Sequence, residues 1–208
     1  MNNAMTQSNG KKEAVHSSLF TTRQLVTLAM LSALAYVLML IHLPFKYLGF
    51  LELEFSDVPA VIASLVYGPV AGVVVELIKN VIKAITATTT GGIGELANFL
   101  ISACYVIPVG ILFQRLKGKA KVFESFAAGI AGFVTAGVVV NYFITVPLYA
   151  NLFGGMDVVV GAVAATVPAI KDLATIVILG ITPFNVVKGL LVSFVGYLVY
   201  KLFRKSLV

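Results

Sequence analysis

The stretch Asp57–Gly68, DVPAVIASLVYG, decides the fold. It is apolar, yet about half as long as the roughly 20 helical residues that ~30 Å of hydrocarbon requires. Five longer apolar segments surround it, at about 24–43, 69–87, 95–114, 123–147 and 183–203. Whether the short segment crosses is settled by where the basic residues fall. Lys11, Lys12 and Arg23 precede the first long segment; Arg115, Lys117, Lys119 and Lys121 follow the third; Lys201, Arg204 and Lys205 end the chain. Basic clusters of this kind stay on the cytoplasmic side. Between the first two clusters the number of crossings must be even, and only three long segments lie there. The short segment supplies the fourth, with Asp57 placed to cap it, Pro59 tolerated near its start, and Leu51 to Phe55 extending it partway. The expected fold is an all-α membrane protein with six transmembrane helices and both termini cytoplasmic.

Composition agrees. Of the 208 residues 59% are hydrophobic and only 12% charged, with a mean hydropathy of +0.99. Soluble domains carry about 25% charge. The net charge of +6 is spread around apolar runs rather than over one solvated face, so it argues for a membrane topology and against a nucleic-acid partner. A single Cys104 excludes a disulfide framework, and His16 and His42 do not make a metal site. Residues 1–20 are polar and read as a disordered cytoplasmic tail; residues 21–208 form the membrane domain. The first apolar run is too long for a signal peptide and lacks a small-residue cleavage site. The stretch 157–182 is apolar but is interrupted by Lys171 and Asp172. A crossing there would also move the C-terminal basic cluster outside. It reads as part of an outer loop, 148–182, holding one or two short interfacial helices, and the last span starts at Pro183. Residues 44–56 and 88–94 form the other outer loops; 115–122 and the turn Tyr67-Gly68-Pro69 lie inside.

This topology brings Lys83, Glu95, Asn98, Asn141, Asn185 and Lys188 to a similar depth near the outer face. Intramembrane ionisable groups are costly and mark ligand sites or pathways. Each also has a structural reading. Lys83 and Lys188 can snorkel to the interface, Glu95 can favour a helix N-terminus, and Asn98 and Asn141 can bond between helices. Their coincidence at one depth favours a site. Glu76, Lys79 and Lys83 make one polar face on the third element, read as an internal ion pair that permits burial. Gly91-Gly92-x-Gly94 is a tight turn or an anion-binding helix start. It lacks the strand and the lysine of a nucleotide motif, which excludes nucleotide hydrolysis by this chain. No nucleophile–base constellation is present, so the chain is not read as an enzyme, and no cofactor is expected. The polar groups and apolar walls suit a small, partly aromatic solute. No internal repeat supports a solitary alternating-access carrier. A substrate-capturing subunit that needs partners fits best.

Four motifs, in order and spacing, carry a resemblance over about Thr22 to Phe203. They are Phe55-Ser56-Asp57-Val58-Pro59-Ala60, Tyr67-Gly68-Pro69-Val70-Ala71-Gly72, Thr90-Gly91-Gly92-Ile93-Gly94-Glu95-Leu96-Ala97-Asn98-Phe99 and Pro183-Phe184-Asn185-Val186-Val187-Lys188-Gly189. The chain resembles the riboflavin-specific substrate-binding (S) component of energy-coupling factor (ECF) vitamin transporters, the RibU family. The resemblance implies a six-helix bundle in the cell membrane and high-affinity capture of riboflavin from outside. It also implies a complex with a transmembrane coupling protein and two cytoplasmic ATPases. The family's Ala-x-x-x-Ala docking motif maps to Ala29 and Ala33. Its ligand-binding asparagines and lysine map to Asn141, Asn185 and Lys188. Asn98 suits the ribityl hydroxyls, and Leu51, Leu53 and Phe55 are expected to pack on the ring. The alternatives are an S component for another vitamin, a stand-alone proton-coupled carrier using Glu76 and Lys79, and an integral membrane enzyme.

Overall fold

The computed structural model describes residues 19–41, 46–49, 51–118 and 120–207. Residues 1–18 of the expected tail, with Lys11 and Lys12, lie outside the described residues, as does Lys119. Helix α1 (Thr22–Leu40) opens with a capping box in which Gln24 N–H donates to Thr21 Oγ1 at 3.3 Å and Thr21 N–H donates to Gln24 Oε1 at 2.8 Å. A short hairpin follows, β1 (Lys46–Tyr47) paired antiparallel with β2 (Leu51–Glu52), so the fold is not purely helical. Its turn has Leu48 and Gly49 at positive φ, which drives the Leu48 side chain into the interior.

Helices α2 (Asp57–Tyr67) and α3 (Pro69–Thr86) are joined by Gly68 alone, at φ 99°, with Pro69 as the first residue of α3. Nine residues of α2, Asp57 to Leu65, are buried, and α1, α3, α4 and α9 surround it. A helix apolar on every side is a helix with no solvated face; α2 is the axis of the bundle. Its small residues permit this. Ser64 Oγ donates to Val106 O at 2.6 Å, and a Cβ at Gly72 or Gly110 would strike Ser64 or its neighbours at under 3.0 Å. The Gly68 and Gly72 pair thus serves contacts within the chain.

After α4 (Ile93–Arg115), α5 (Lys121–Val140) continues through a π-helical turn, Asn141–Thr145, into α6 (Val146–Phe153). Helix α7 (Met156–Ala164) is set off by Gly154 and Gly155. Helix α8 (Leu173–Thr175) runs through a second π turn, Ile176–Ile181, into α9 (Thr182–Leu207). The expected loop 148–182 is therefore shorter than the sequence implied. The last long helix begins at Leu173, not Pro183, and the fifth continues to Phe153. Two local interactions explain the difference. Asp172 starts a helix through a capping box with Thr175. Each π turn precedes a proline, Pro147 or Pro183, and shifts the backbone bonding by one residue, which absorbs the missing N–H and the ring. Thr182 Oγ1 also donates to Val177 O at 2.8 Å across the second turn.

By length and composition, four helices among the described residues can cross a membrane: Thr22–Leu40, Ile93–Arg115, Lys121–Phe153 and Leu173–Leu202. The other two segments of the expected six are α2, 11 residues long, and α3, which carries Glu76, Lys79 and Lys83. The core falls into two clusters. The larger runs through α1 to α5 and α9, around Val61, Tyr105 and Phe133. The smaller caps the hairpin end and gathers Leu48, Val146, Tyr149, Val163, Ile176 and Ile181.

Helices α4 and α5 meet through Pro108 and Gly132. Pro108 cannot donate to Cys104 O, and a Cβ on Gly132 would sit 2.2 Å from that same oxygen. Gly132→Val is expected to cost about 1–3 kcal/mol through overpacking, read as a lower thermal unfolding midpoint in detergent. Gly161→Ala, inside α7 with no atom within 4 Å of the new methyl, should hold the midpoint or raise it.

Candidate functional site

Between the two clusters lies a cavity of about 560 Å³, within the ~300–1,000 Å³ range of small-molecule sites. Its walls are mainly apolar and aromatic: Met39, Leu48, Leu51, Ile101, Phe133, Tyr149 and Phe184 among them. The hairpin roofs one side, where the Tyr47 ring lies parallel to Phe184 with centroids 5.9 Å apart.

Asn98, Asn141, Asn185 and Lys188 all line this cavity. Asn141 starts the first π turn and donates through Nδ2 to Gly137 O at 2.7 Å. Asn185 sits in the first turn of α9 against the same glycine: a Cβ at Gly137 would lie 2.0 Å from Asn185 Nδ2. Gly137 is thus what lets the two asparagines share one wall. Among the described residues, Asn98 Oδ1 and Asn185 Nδ2 are buried without a hydrogen-bond partner. A buried amide atom with no partner costs about 1–3 kcal/mol, and a bound solute with matching polar atoms removes that cost.

Lys188 Nζ lies 2.7 Å from Glu54 Oε1 and 3.2 Å from Asp57 Oδ2. Asp57 is paired in turn with Lys79, and its Oδ1 accepts from Ser102 Oγ at 3.0 Å. Lys79 Nζ also reaches Ser56 Oγ at 2.7 Å and Glu76 Oε2 at 2.8 Å. Five ionisable side chains from the α2 entry, α3 and α9 form one network, all of them less than 5% exposed. The role expected for Asp57 as a helix cap is not what it does. Ser56 occupies the cap position without a side-chain cap bond; its Oγ accepts from Lys79 Nζ, and Asp57 is drawn inward by two ammonium groups.

At the rim, Lys83 Nζ is 3.4 Å from Glu52 Oε2. Glu95 accepts from Thr88 Oγ1 at 3.0 Å and Thr90 Oγ1 at 3.1 Å. The glycine turn is closed internally, with Gly92 N–H donating to Thr88 Oγ1 and Gly94 N–H to Thr90 Oγ1, each at 3.0 Å. Those donors are spent on the turn itself, which is the structural reading of this motif.

Of the apolar residues expected on the ring, Leu51 lines the cavity, whereas Leu53 and Phe55 do not. Glu52 and Glu54 also line it, and Phe55 packs on the larger core cluster. Sequence reasoning missed Glu52, Glu54, Asp57 as an ion partner, Gly137, Tyr149 and Phe184. One signal was available: buried Lys79 and Lys188 need counter-charges, and only nine acidic residues exist to provide them. Ala29 and Ala33 are far from this site in role. Both are exposed on one face of α1, next to Leu25, Val26, Met30, Leu34 and Val37.

Known proteins resemble this chain over most of its length. The family described as "ECF transporter, substrate-specific component" matches residues 23–200. A riboflavin transporter FmnP of Bacillus subtilis (strain 168) is 36% identical over 183 residues, covering 86% of this chain and 90% of the relative. A riboflavin transporter RibU of Staphylococcus aureus (strain TCH60) is 33% identical over 182 residues, covering 86% and 89%. A solved S component of a bacterial ECF transporter superposes with a TM-score of 0.72 at 28% identity, covering 89% of this chain and 97% of that one. A multi-pass helical bundle with an apolar cavity and convergent amides, matched over most of its length, belongs to the substrate-specific components of ECF transporters.

Proposed function

We propose that this chain is the riboflavin-capturing subunit of an ATP-driven ECF transporter in the cell membrane. It is a substrate-binding component and not an enzyme. The observation that carries the reading is the cavity wall on which Asn98, Asn141, Asn185 and Lys188 converge, with two amide atoms lacking partners. The relatives named above as riboflavin transporters support the choice of ligand. The flavin ring offers carbonyl oxygens and a ring nitrogen that accept from Lys188 and Asn185. The ribityl hydroxyls both donate and accept, which matches the amides of Asn98 and Asn141. Leu51, Tyr149 and Phe184 supply apolar surface for the ring faces.

The topology proposed is six crossings with both termini in the cytoplasm, α2 and the segment before it forming the short crossing. The cavity then opens outward. The partners are a transmembrane coupling protein, reached through Ala29 and Ala33, and two cytoplasmic ATPases. The stand-alone proton-coupled reading is less well supported, because Lys79 is held by three neighbours at once. An S component for another vitamin remains the competing reading, and the binding experiment decides between them.

Titration of riboflavin into purified, detergent-solubilised protein, followed by flavin fluorescence, tests the assignment. Saturable quenching at one flavin per chain is expected; its absence moves the ligand to another vitamin. Lys188→Ala and Asn185→Ala should each weaken binding at least tenfold, equivalent to ~1.4 kcal/mol or more. Unchanged affinity in both sinks the site. Gly137→Ala should yield folded protein, since the displaced atom is a side-chain terminus, but weaken riboflavin binding about tenfold by pushing Asn185 aside. Ala29→Trp should leave riboflavin affinity intact and abolish riboflavin uptake by cells. Surviving uptake would show that this face of α1 is not the docking surface.

A further inference from the structure

Two buried lysines belong to this network, and they differ in how fully they are used. An ammonium has three N–H bonds to give. Lys79 donates to Ser56 Oγ and Asp57 Oδ1 and has Glu76 Oε2 beside it at 2.8 Å as an ion-pair partner. Lys188 donates to Glu54 Oε1 at 2.7 Å and is ion-paired with Asp57 Oδ2 at 3.2 Å, an oxygen that accepts no hydrogen bond. Lys188 also lines the cavity, whereas Asp57 does not. Asp57 therefore touches the site only through others: one oxygen faces Lys79 and Ser102, the other faces Lys188.

We infer that Asp57, together with Glu54, is a positioning residue for ligand capture, holding the Lys188 ammonium so that an N–H is presented to a hydrogen-bond acceptor in the cavity. Lysine has a long, flexible stem, and a free ammonium in this place has many rotamers to lose on binding. The hydrogen bond to Glu54 and the ion pair with Asp57 remove that freedom beforehand. They also cancel its charge, so the lysine is kept in a low-dielectric site without needing an anionic ligand. Asp57 is fixed from its other side by Lys79 and Ser102, which makes it a rigid rest rather than a mobile counter-ion. The inference builds on the reading of Lys188 as a riboflavin contact.

A double-mutant cycle on the full chain in detergent separates positioning from scaffolding. Riboflavin affinity is measured by flavin fluorescence for wild type, Asp57→Asn, Lys188→Met and the double variant, with thermal unfolding recorded for each. Asp57→Asn is expected to weaken binding at least tenfold when Lys188 is present and less than twofold when it is methionine. An equal loss in both backgrounds would mean that Asp57 only holds the helices together, and would overturn the inference. The same cycle with Glu54→Gln decides the matter if Asp57→Asn does not fold, and carries the same two outcomes. A wild type that does not bind riboflavin, or a Lys188→Met protein with undiminished affinity, overturns the ligand or contact assignment itself. Failure of the positioning idea alone is the case in which Lys188→Met is weakened and the Asp57 penalty is independent of it.

Discussion

The rest of the structure depends on Asp57, a single carboxylate that serves two lysines. In hydrocarbon an unpaired charge is expensive, and removing one member of a buried pair costs more than the pair itself contributes. Lys79 on α3 and Lys188 on α9 each carry that liability. Asp57 at the head of α2 meets both, and Glu54 and Glu76 complete the set. The network fixes where three segments of the chain must sit relative to one another. It also explains why α2 can be short. Its head is anchored by charge and its body by small-residue contacts to α3 and α4, so burial on every side replaces length.

The cavity is the gap between what that anchor organises and a second cluster that packs on its own. The larger core follows α2. The smaller one is built by the extensions of two helices beyond their π turns, by α7, and by Leu48 from the hairpin tip. The π turns make this possible, since each carries a helix past a proline that would otherwise end or kink it. They also reset the helical phase near Asn141 and Asn185. Gly137 then leaves the room in which both amides face the same space. Polar groups, prolines and a glycine that look unrelated along the chain act on one wall.

Much of this architecture is legible in the sequence. Hydropathy and basic clusters mark the helices, and the shared depth of Asn98, Asn141, Asn185 and Lys188 follows from threading them in order. These residues do meet at one cavity. What stays hidden has physical causes. The hairpin strands are two residues each, too short for any alternation to show. Leu53 and Phe55 lie beyond the two-residue strand that carries Leu51, so no periodicity sets which way they face. Helix starts at proline are a sound rule, but a one-residue shift in backbone bonding let the last helix extend back past Pro183 to Asp172. Ion partners such as Glu54 and Lys188, 134 residues apart, are invisible to local spacing. Only the demand that every buried charge be matched points to them.

The way the charges are spent also bears on how such a subunit works. A carrier driven by protons needs an ionisable group that can exchange its proton while the site changes its access. Here the polar face of α3 meets other charges: Lys79 donates to Ser56 and Asp57 and pairs with Glu76, and Lys83 faces Glu52 at the rim. Helix α1, in contrast, packs on α2 and α3 with one side and leaves Ala29, Ala33 and a row of aliphatic residues open. A chain that invests its charges in holding a binding site rigid, and keeps a smooth small-residue face free, is built to bind.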